Sequence, residues 1–551
     1  MDLMRTSFVI SASDAQKLNK ALQYAVLGLL LFSMAALAYY QMSYLAMQHP
    51  RMPFFEPDNY EYYLFAQLAI VHPALNASTL LNPYYVYTIA GFFEHAGLYL
   101  MPVWIYDITH ISLVWDFRIL QLLAVIVIYV FSLLLSFIIM NKTFLTRTYR
   151  YFVYILILSS GLLMSYTELM EWRGNEFITA LSLIMVYAMA YVFTDGGASW
   201  IKVGAIALLL LLPLIGIWIW SGGVILLVLA AILFASLLLY KIVLHWHIRF
   251  WAYLAVAIVV LAVVIYFGWA EIDTMLIAIG GQFLVGSCLN NLLHLGEAEC
   301  LTPANGLMSI LMMMLFSSLA IITFMGKTIM SEKKKHYEYY FIAIMVVGYA
   351  ELPMALIYLR LVDMVAPYFI IMYALGTVSL LTYFSKAGSS KIIIMLTMIL
   401  ILIANLGGQY LFYRSNILLY EYANPSGLAM AGQYLAAYPN STVFAYYGYG
   451  DWLEAIGHER VYADTIQGLN ASRIMDMDTA FLSNASGACR IITSFKPMPD
   501  FVMIGRSMLN SSLSINASNS SILKEPLSFG NECGYGLVYN NQGFELFKVV
   551  G

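Results

Sequence analysis

The run FRILQLLAVIVIYVFSLLLSFIIM at residues 117–140 carries a single charged side chain, Arg118, near its start. A helix needs about 20 apolar residues to cross the hydrocarbon layer of a bilayer, so this run is long enough to span a membrane. Eleven such runs occur, at 22–42, 117–140, 151–169, 177–194, 203–217, 219–240, 250–270, 306–325, 339–357, 362–384 and 392–412. One or two more could lie within 80–112 or 271–292. The sequence therefore predicts a polytopic α-helical membrane protein with 11–13 transmembrane helices.

The composition of the 551-residue chain agrees with a membrane protein. Hydrophobic residues make up 62% of the chain and charged residues only 11%, whereas soluble domains carry about 25% charged residues. This excludes a soluble enzyme. The net charge of −4 argues against a nucleic-acid partner, which usually requires a basic surface.

Basic residues between the apolar runs predict the orientation of the chain. Arg5, Lys17 and Lys20 precede the first run, and further basic residues cluster in the loops 141–150 and 327–335. Because Lys and Arg are enriched in cytoplasmic loops, the N-terminus is expected in the cytoplasm. An odd number of spans then places residues 413–551 outside the cell. We expect an integral protein of the plasma membrane.

The chain divides into two predicted domains. Residues 1–412 form a multi-span transmembrane domain, with a long first external loop at 43–116 that is rich in Tyr, Phe and Pro. From residue 413 onward, Gly, Asn, Ser and Asp increase and the apolar runs shorten. Segments 441–446 and 501–504 have the pattern of strands, and 425–437 that of a helix. Residues 413–551 are therefore predicted to form an extracytoplasmic C-terminal domain of mixed α/β type.

The four cysteines all lie in segments predicted to face an oxidising compartment. Cys288 and Cys300 share one outer loop, and Cys489 and Cys533 belong to the C-terminal domain. Pairing within each region is therefore plausible, with free buried thiols as the alternative, and we predict a Cys489–Cys533 bridge. The outer segments also contain seven Asn-X-Ser/Thr triplets, which could be sites of self-modification or products of composition: Asn76, Asn440, Asn470, Asn484, Asn510, Asn516 and Asn519.

Ionisable residues at the outer ends of the predicted spans are candidates for chemistry, because such groups are costly within membrane segments and tend to be functional there. They are Glu56 and Asp58 in the first loop, Glu176 before the fourth span, Glu297 and Glu299 before the eighth, and Arg360 before the tenth. Converging carboxylates suit a hard cation such as Mg²⁺ or Mn²⁺, and an arginine can hold a phosphate through two hydrogen bonds. The structural alternative is that the acids cap helices and that Arg360 extends to lipid headgroups.

Read in order, these positions resemble the motifs of the oligosaccharyltransferase catalytic subunit, particularly the single-subunit archaeal type. The matching segments are PDNYEYYL at 57–64, RGNE at 173–176, Glu299 shortly before Pro303, RLVDMVAP at 360–367, VFAYYGYGDW at 443–452 and ERVYAD at 459–464. The resemblance covers nearly the whole chain and implies a GT-C-like membrane fold.

Two motifs depart from the family pattern. Gly174 stands where the family often has the first acid of its second motif, which leaves Glu176 alone. Tyr446, Tyr447 and Gly448 replace the Trp, Trp and Asp of the acceptor motif. Asp451, three residues later, is a candidate for the missing carboxylate, although it could instead cap a helix that begins at Trp452.

The resemblance implies transfer of a glycan from a polyprenyl (dolichol-type) phosphate or pyrophosphate to the Asn of Asn-X-Ser/Thr polypeptides, with inversion at the sugar. It assigns Asp58 and Glu299 to the acceptor amide and the metal, Glu176 to the metal, and Arg360 to the donor phosphate. The acceptor would contact Tyr446, Tyr447, Gly448 and Asp451. Glu56 and Glu297 are the alternative acids, and Mn²⁺ or Mg²⁺ is the implied cofactor.

Two other functions fit parts of the sequence. Another polyprenyl-phosphate-sugar glycosyltransferase would share the acidic first loop without needing residues 446–452. A transporter or export component would use the C-terminal domain as a binding module. Transporters usually show paired broken helices or inverted repeats, and neither is evident in this sequence.

Overall fold

The computed structural model describes residue 28 and residues 57–71, 96–141, 147–160, 174–194, 199–245, 336–357, 362–386, 392–403, 425–462, 471–505, 518–541 and 543–550. Five helices in these ranges are long and apolar enough to cross a membrane: Leu113–Met140, Gly174–Phe193, Ser199–Ile219, Ile225–Ile242 and Met364–Ser385. They coincide with five of the predicted runs. The prediction of an integral membrane protein is therefore confirmed.

Three further helices overlap predicted spans, namely Arg147–Ser160, His336–Ile357 and Ile392–Ile403. The first and third are shorter over their described residues than the runs at 151–169 and 392–412. The predicted spans at 250–270 and 306–325, and all of 22–42 except Gly28, lie outside the described residues. The total of eleven to thirteen spans therefore stays a prediction.

One predicted span boundary was wrong. The run at 219–240 is divided by a 3₁₀ turn at Ser221–Val224, and the helix that follows extends over Ile225–His245. Gly223 lies so close to the backbone of Gly216 that a Cβ on it would be 2.2 Å from the Gly216 carbonyl carbon. A tight turn between two packed helices needs a residue without a side chain at this position, and the Ser-Gly-Gly sequence at 221–223 is typical of such a turn.

The Gly174–Phe193 helix lies in the centre of the bundle. It packs against the Leu113–Asn141, Ser199–Ile219 and His336–Ile357 helices, and its residues from Ile178 to Phe193 are mostly buried. Ser182 on this helix donates a hydrogen bond to the Thr179 carbonyl at 2.9 Å, so it accepts one from the Tyr368 hydroxyl at 2.5 Å. The Ser199–Ile219 helix is exposed along most of its length, as expected of a helix that faces lipid.

The predicted first external loop contains two helices, Pro57–Val71 and Ala96–Thr109. We call Pro57–Val71 the first-loop helix. It packs against the Ala96–Thr109 helix, with the rings of Phe65 and Tyr99 in edge contact at 5.7 Å.

The C-terminal part contains a five-stranded mixed sheet, which confirms the expected α/β composition. Its strands are β1 (Thr442–Phe444), β2 (Arg460–Val461), β3 (Phe501–Gly505), β4 (Tyr535–Asn540) and β5 (Phe544–Val549), in the order β2-β1-β3-β5-β4. β1 is parallel to β2 and β3, while β5 is antiparallel to β3 and β4. Helices Pro425–Leu435, Ala471–Leu482, Ala485–Ile492 and Pro526–Cys533 accompany the sheet. The segments predicted as strands around β1 and β3 are thus confirmed.

Cys489 and Cys533 form a disulfide bond, as predicted. Their Cα atoms are 5.4 Å apart, within the usual range for a bridge. The bond connects the Ala485–Ile492 helix to the Pro526–Cys533 helix, which precedes the last hairpin. Cys288 and Cys300 lie outside the described residues.

Candidate active site

The candidate acceptor motif follows the carboxyl end of β1. The chain leaves the carboxyl end of β1 towards β2 on one side, and leaves that of its parallel neighbour β3 towards the β4–β5 hairpin on the other side, so the two connections diverge. In open α/β sheets, ligands bind outside the carboxyl ends of strands at such a switch point. A 3₁₀ turn at Tyr447–Tyr449 and a short helical turn at Gly450–Trp452 occupy this position.

Four aromatic rings connect this motif to the first-loop helix, and we call them the aromatic row. Tyr446 contacts Tyr449 at 5.7 Å between ring centroids, and Tyr449 contacts Trp452 at 6.0 Å. Trp452 in turn meets Tyr60 of the first-loop helix edge-on at 5.7 Å. The row therefore extends from the end of β1 to the beginning of the first-loop helix.

Asp58 lies in the first turn of the first-loop helix, immediately after Pro57. Proline suits this position because the first helical N–H needs no intrahelical partner. The free N–H groups and the dipole at a helix N-terminus favour a carboxylate. Since Tyr60 contacts Trp452, the backbone of Asp58 is held beside the acceptor motif. The structure thus brings together two segments that the sequence analysis singled out separately.

Glu176 lies in the first turn of the central Gly174–Phe193 helix and is 4% exposed. Gly174, two residues earlier, packs against the indole of Trp220: a Cβ on Gly174 would be 2.8 Å from the Trp220 Cγ. Real Cβ atoms do not approach other atoms so closely, so an acid at position 174 would not fit. The departure from the family pattern at Gly174 therefore has a steric cause.

Other charged residues are buried at the N-terminal end of the Leu113–Asn141 helix and were missed by the sequence reasoning. Asp116 and Arg118 are 0% and 3% exposed, and Asp116 Oδ1 accepts a hydrogen bond from the Thr109 hydroxyl at 3.2 Å. Asp116 is the last residue of the predicted first external loop, and Arg118 is the second residue of the apolar run at 117–140. A charged residue inside a predicted span was the signal that could have identified Arg118.

Asp451 is the second residue of the Gly450–Trp452 turn and is completely buried. Tyr449 occupies the N-cap position, and its side chain makes no capping hydrogen bond. The alternative in which Asp451 caps a helix that starts at Trp452 is therefore wrong, because the turn starts two residues earlier. Glu454, in the π-helical turn that follows, is also fully buried.

Gly448 lies beside Tyr446: a Cβ there would be 3.0 Å from an edge carbon of the Tyr446 ring. The Tyr449 amide closes the turn by donating to the Tyr446 carbonyl at 2.9 Å. An aspartate at position 448 would have to displace the ring. Glycine at position 448 therefore leaves room for the ring of Tyr446.

Several predicted site residues cannot be placed. Glu56, Glu297, Glu299 and Arg360 lie outside the described residues, and nothing is described of the Asp58 and Tyr447 side chains. Within the described part of the chain, no group of three or more His, Cys, Asp or Glu residues is arranged to hold a metal ion.

A second polar cluster lies at the opposite edge of the sheet, where β1, β2 and β3 begin. Glu459 is fully buried and accepts a hydrogen bond from the Ser441 hydroxyl at 2.5 Å. Asp500 Oδ2 accepts hydrogen bonds from the Thr442 amide at 2.7 Å and the Thr442 hydroxyl at 2.9 Å. Burial raises the pKa of Glu459 to about 7, and the charge of Asp500 adds to the increase. This cluster is remote from the carboxyl ends and belongs to the framework of the sheet.

Comparison with known proteins gives a consistent structural result. No protein-family model matches the chain, and no curated protein sequence does either. The oligosaccharyltransferase of Archaeoglobus fulgidus, tethered by a disulfide bond to an acceptor peptide containing the NVT sequon, superposes with a TM-score of 0.57 at 13% identity. The match covers 95% of this chain and 74% of that chain.

The chain has the fold of an oligosaccharyltransferase. The Archaeoglobus protein AglB in complex with an inhibitory peptide and a dolichol-phosphate gives the same TM-score of 0.57, at 13% identity over 94% of this chain and 74% of that chain. ArnT from Cupriavidus metallidurans in the apo state matches with a TM-score of 0.50 at 11% identity, over 96% of this chain and 98% of that chain. The expected GT-C-like architecture is therefore confirmed. At such low identity the likeness establishes the oligosaccharyltransferase fold alone.

Proposed function

We propose that the protein is a membrane glycosyltransferase of the oligosaccharyltransferase type. It transfers a glycan from a polyprenyl-linked phosphate or pyrophosphate donor to the asparagine of Asn-X-Ser/Thr polypeptides. The reaction takes place at the outer membrane face, with the N-terminus in the cytoplasm and the C-terminal domain outside. The fold similarity and the ligands in the Archaeoglobus structures, an acceptor peptide and dolichol-phosphate, support this proposal.

The contact between Tyr60 and Trp452 is the observation on which the proposal depends. It holds the helix that begins with Asp58 against the segment 446–452, and that segment follows the carboxyl end of β1. A candidate catalytic acid and a candidate acceptor motif are therefore neighbours, although nearly the whole transmembrane part separates them in the sequence. Such proximity is expected if the two segments line one site, and it therefore supports the proposal.

The proposed roles follow from the chemistry of amide glycosylation. A carboxamide nitrogen is a poor nucleophile because its lone pair is delocalised into the carbonyl group. In our proposal Asp58 and Glu299 accept hydrogen bonds from the acceptor N–H groups and weaken this delocalisation, and Arg360 stabilises the departing phosphate. Glu56 and Glu297 are the alternative acids. Attack from the face opposite the leaving group would invert the anomeric carbon.

The proposed metal ligands are carboxylates, which suit a hard divalent cation. Asp58, Glu176 and Glu299 would supply carboxylate oxygens, which Mg²⁺ and Mn²⁺ prefer. Glu176 is buried at the N-terminus of a central helix, where a metal-bound carboxylate would be shielded from water. When bound, Mn²⁺ or Mg²⁺ would supply positive charge that stabilises the leaving phosphate.

A reconstituted assay tests the proposal. Purified protein is incubated with a lipid-linked oligosaccharide extract and a labelled Asn-X-Thr peptide, with EDTA or with added Mn²⁺. We expect a glycopeptide only with Mn²⁺, and none from a matched peptide in which Gln replaces Asn. Transfer that is equally fast in EDTA would refute the metal requirement, while no glycopeptide in either arm would refute the acceptor class.

The other polyprenyl-phosphate-sugar transferase remains the second candidate. It is favoured by the match to ArnT, which extends over 98% of that chain, compared with 74% of the Archaeoglobus protein. If the donor sugar is labelled instead of the peptide, this candidate predicts transfer of the label to an acceptor other than the peptide, and none to the peptide.

A further inference from the structure

We infer that Asn484, in the C-terminal domain of the protein itself, is a glycan acceptor. This inference rests on the proposed function and deepens it by naming one protein substrate. Of the seven Asn-X-Ser/Thr triplets, those at Asn440, Asn484 and Asn519 lie wholly in described segments. Their three environments differ in ways that determine whether the asparagine and the hydroxyl can both be reached.

At Asn484 both recognition groups are available. Asn484 and Ser486 are exposed. The Asn484 side-chain oxygen accepts a hydrogen bond from the Gly487 amide at 2.9 Å and thereby caps the Ala485–Ile492 helix. Among the described residues, no hydrogen-bond partner is found for the Asn484 Nδ2 or for the Ser486 hydroxyl.

The capping geometry is compatible with the modified residue. Glycosylation replaces one hydrogen on Nδ2 and leaves the side-chain carbonyl intact, so the hydrogen bond from Gly487 can persist. The segment lies at the start of a helix, where backbones fray, and an isolated bridge ties it to Ser521, with the Ile522 amide donating to the Ser483 carbonyl at 2.9 Å; this contact opens when the helix end frays. The asparagine can therefore be modified and afterwards return to the helix N-terminus with its capping hydrogen bond restored.

At Asn440 and Asn519 the hydroxyl groups are not available. Thr442 is 4% exposed, and its hydroxyl donates to Asp500 Oδ2 at 2.9 Å and accepts from the Asp500 amide at 3.1 Å. Ser521 is completely buried. Both asparagines are exposed, yet a transferase that must contact the Ser or Thr hydroxyl cannot reach it without opening the fold.

The Cys489–Cys533 bond gives independent support, because disulfides persist in oxidising compartments. The bridge starts from the same helix that Asn484 caps. It therefore indicates that this helix is on the outer side of the membrane, where the proposed reaction occurs. In that reaction the Asn484 Nδ2 forms a bond to C1 of the donor sugar. The bond from C1 to the lipid phosphate oxygen breaks, its electron pair stays on the phosphate, and Nδ2 loses one proton to a base.

The inference is tested by mass spectrometry of the full-length protein. Wild type is incubated with a lipid-linked oligosaccharide extract and Mn²⁺, reduced, and digested with trypsin, which releases residues 474–490 as one peptide. A labelled Asn-X-Thr peptide in the same tube reports transferase activity. We expect the glycan mass on Asn484 and an unmodified Asn440.

Two variants serve as controls. Asn484→Asp keeps an N-cap acceptor but lacks the amide, and Ser486→Ala keeps the amide but lacks the hydroxyl. Both should lose the modification while retaining wild-type transfer to the labelled peptide. If the labelled peptide is glycosylated and Asn484 stays bare, the inference is overturned and the proposed function stands. If neither the labelled peptide nor Asn484 carries a glycan, the inference and the proposed function are both overturned. If Asn484 is still modified in Ser486→Ala, the claim that the Ser486 hydroxyl is required is overturned.

Discussion

The ring of Tyr60 meets the indole of Trp452 edge-on, with 5.7 Å between the centroids and 69° between the planes. Both side chains are buried, at 1% and 5% exposure. Tyr60 belongs to the helix that begins with Pro57 and Asp58, and Trp452 ends the segment that leaves β1. The pair therefore fixes the position of the candidate catalytic acid relative to the candidate acceptor motif, and its loss should affect both stability and transfer.

A double-mutant cycle measures this coupling. We expect Tyr60→Leu and Trp452→Leu each to destabilise the protein, and the double variant to lose less than the sum by ~0.5–1.5 kcal/mol, the usual range for an aromatic pair. The free energy of unfolding is measured on detergent-solubilised protein, and peptide transfer is measured in parallel. Strict additivity of the two substitutions would show that the rings do not interact.

Gly174 should tolerate no side chain, because a Cβ would be 2.8 Å from the Trp220 Cγ. We expect Gly174→Ala to cost about 1–3 kcal/mol, as overpacking usually does, and Trp220→Ala to rescue it in part. Gly204 is the matched control, since it is also helical but has no atom within 4 Å of a Cβ. Gly204→Ala should be neutral or stabilising by up to ~1 kcal/mol. Equal melting temperatures for the two alanine variants would contradict the steric argument.

Glu176 and Glu338 provide a matched pair for the metal hypothesis, since each is 4% exposed within the bundle. Glu338 accepts a hydrogen bond from the Tyr240 hydroxyl at 2.9 Å, and glutamine can keep this bond. We expect Glu176→Gln to reduce transfer by at least about tenfold, or ~1.4 kcal/mol, and to raise the Mn²⁺ concentration needed for half-maximal rate. Glu338→Gln should change neither quantity. A Mn²⁺ dependence that is unaltered in Glu176→Gln would remove Glu176 from the proposed metal site.

The buried acid at the amino ends of the strands predicts a pH dependence of stability. The pKa of Glu459 is raised from 4.5 to about 7, so the folded protein holds one more proton than the unfolded chain between these values. The free energy of unfolding of the protein should therefore fall as the pH rises from 4.5 to 7 and then level off. Burial also raises the pKa of Asp478 to about 7 and adds to the same trend.

Glu459→Gln should reduce the slope of this profile to the part due to Asp478, without abolishing the Ser441 hydrogen bond, because the amide oxygen can still accept. Thermal unfolding of the two proteins at a series of pH values from 5 to 8 provides the comparison. A wild-type melting temperature that rises with pH over this interval would have the wrong sign for the proposed cause.

The apolar runs, the strands around β1 and β3, and the Cys489–Cys533 bridge could be predicted from the sequence because each depends on local pattern or compartment. The contact of Tyr60 with Trp452 could not be, since it depends on how two distant segments pack. The steric reason for Gly174 also required the position of Trp220. By contrast, the turn at Ser221–Val224 has a local signal in Ser-Gly-Gly at 221–223, and the helix boundary was placed incorrectly because the flanking residues are apolar on both sides.

The side chain of Asp451, next to Trp452 in the sequence, is completely buried. The sequence suggested that it meets the Ser/Thr hydroxyl of the acceptor in place of the family aspartate. Burial adds a competing role, in which Asp451 holds the 446–452 segment in position without touching the peptide. We expect Asp451→Ala to reduce discrimination between Asn-X-Thr and Asn-X-Ala peptides by about tenfold, equivalent to ~1.4 kcal/mol, if it contacts the hydroxyl. Initial rates with both peptides, at equal concentrations of folded protein, distinguish the roles. If both rates fall while their ratio stays constant, Asp451 positions the motif, and the hydroxyl is recognised by another group.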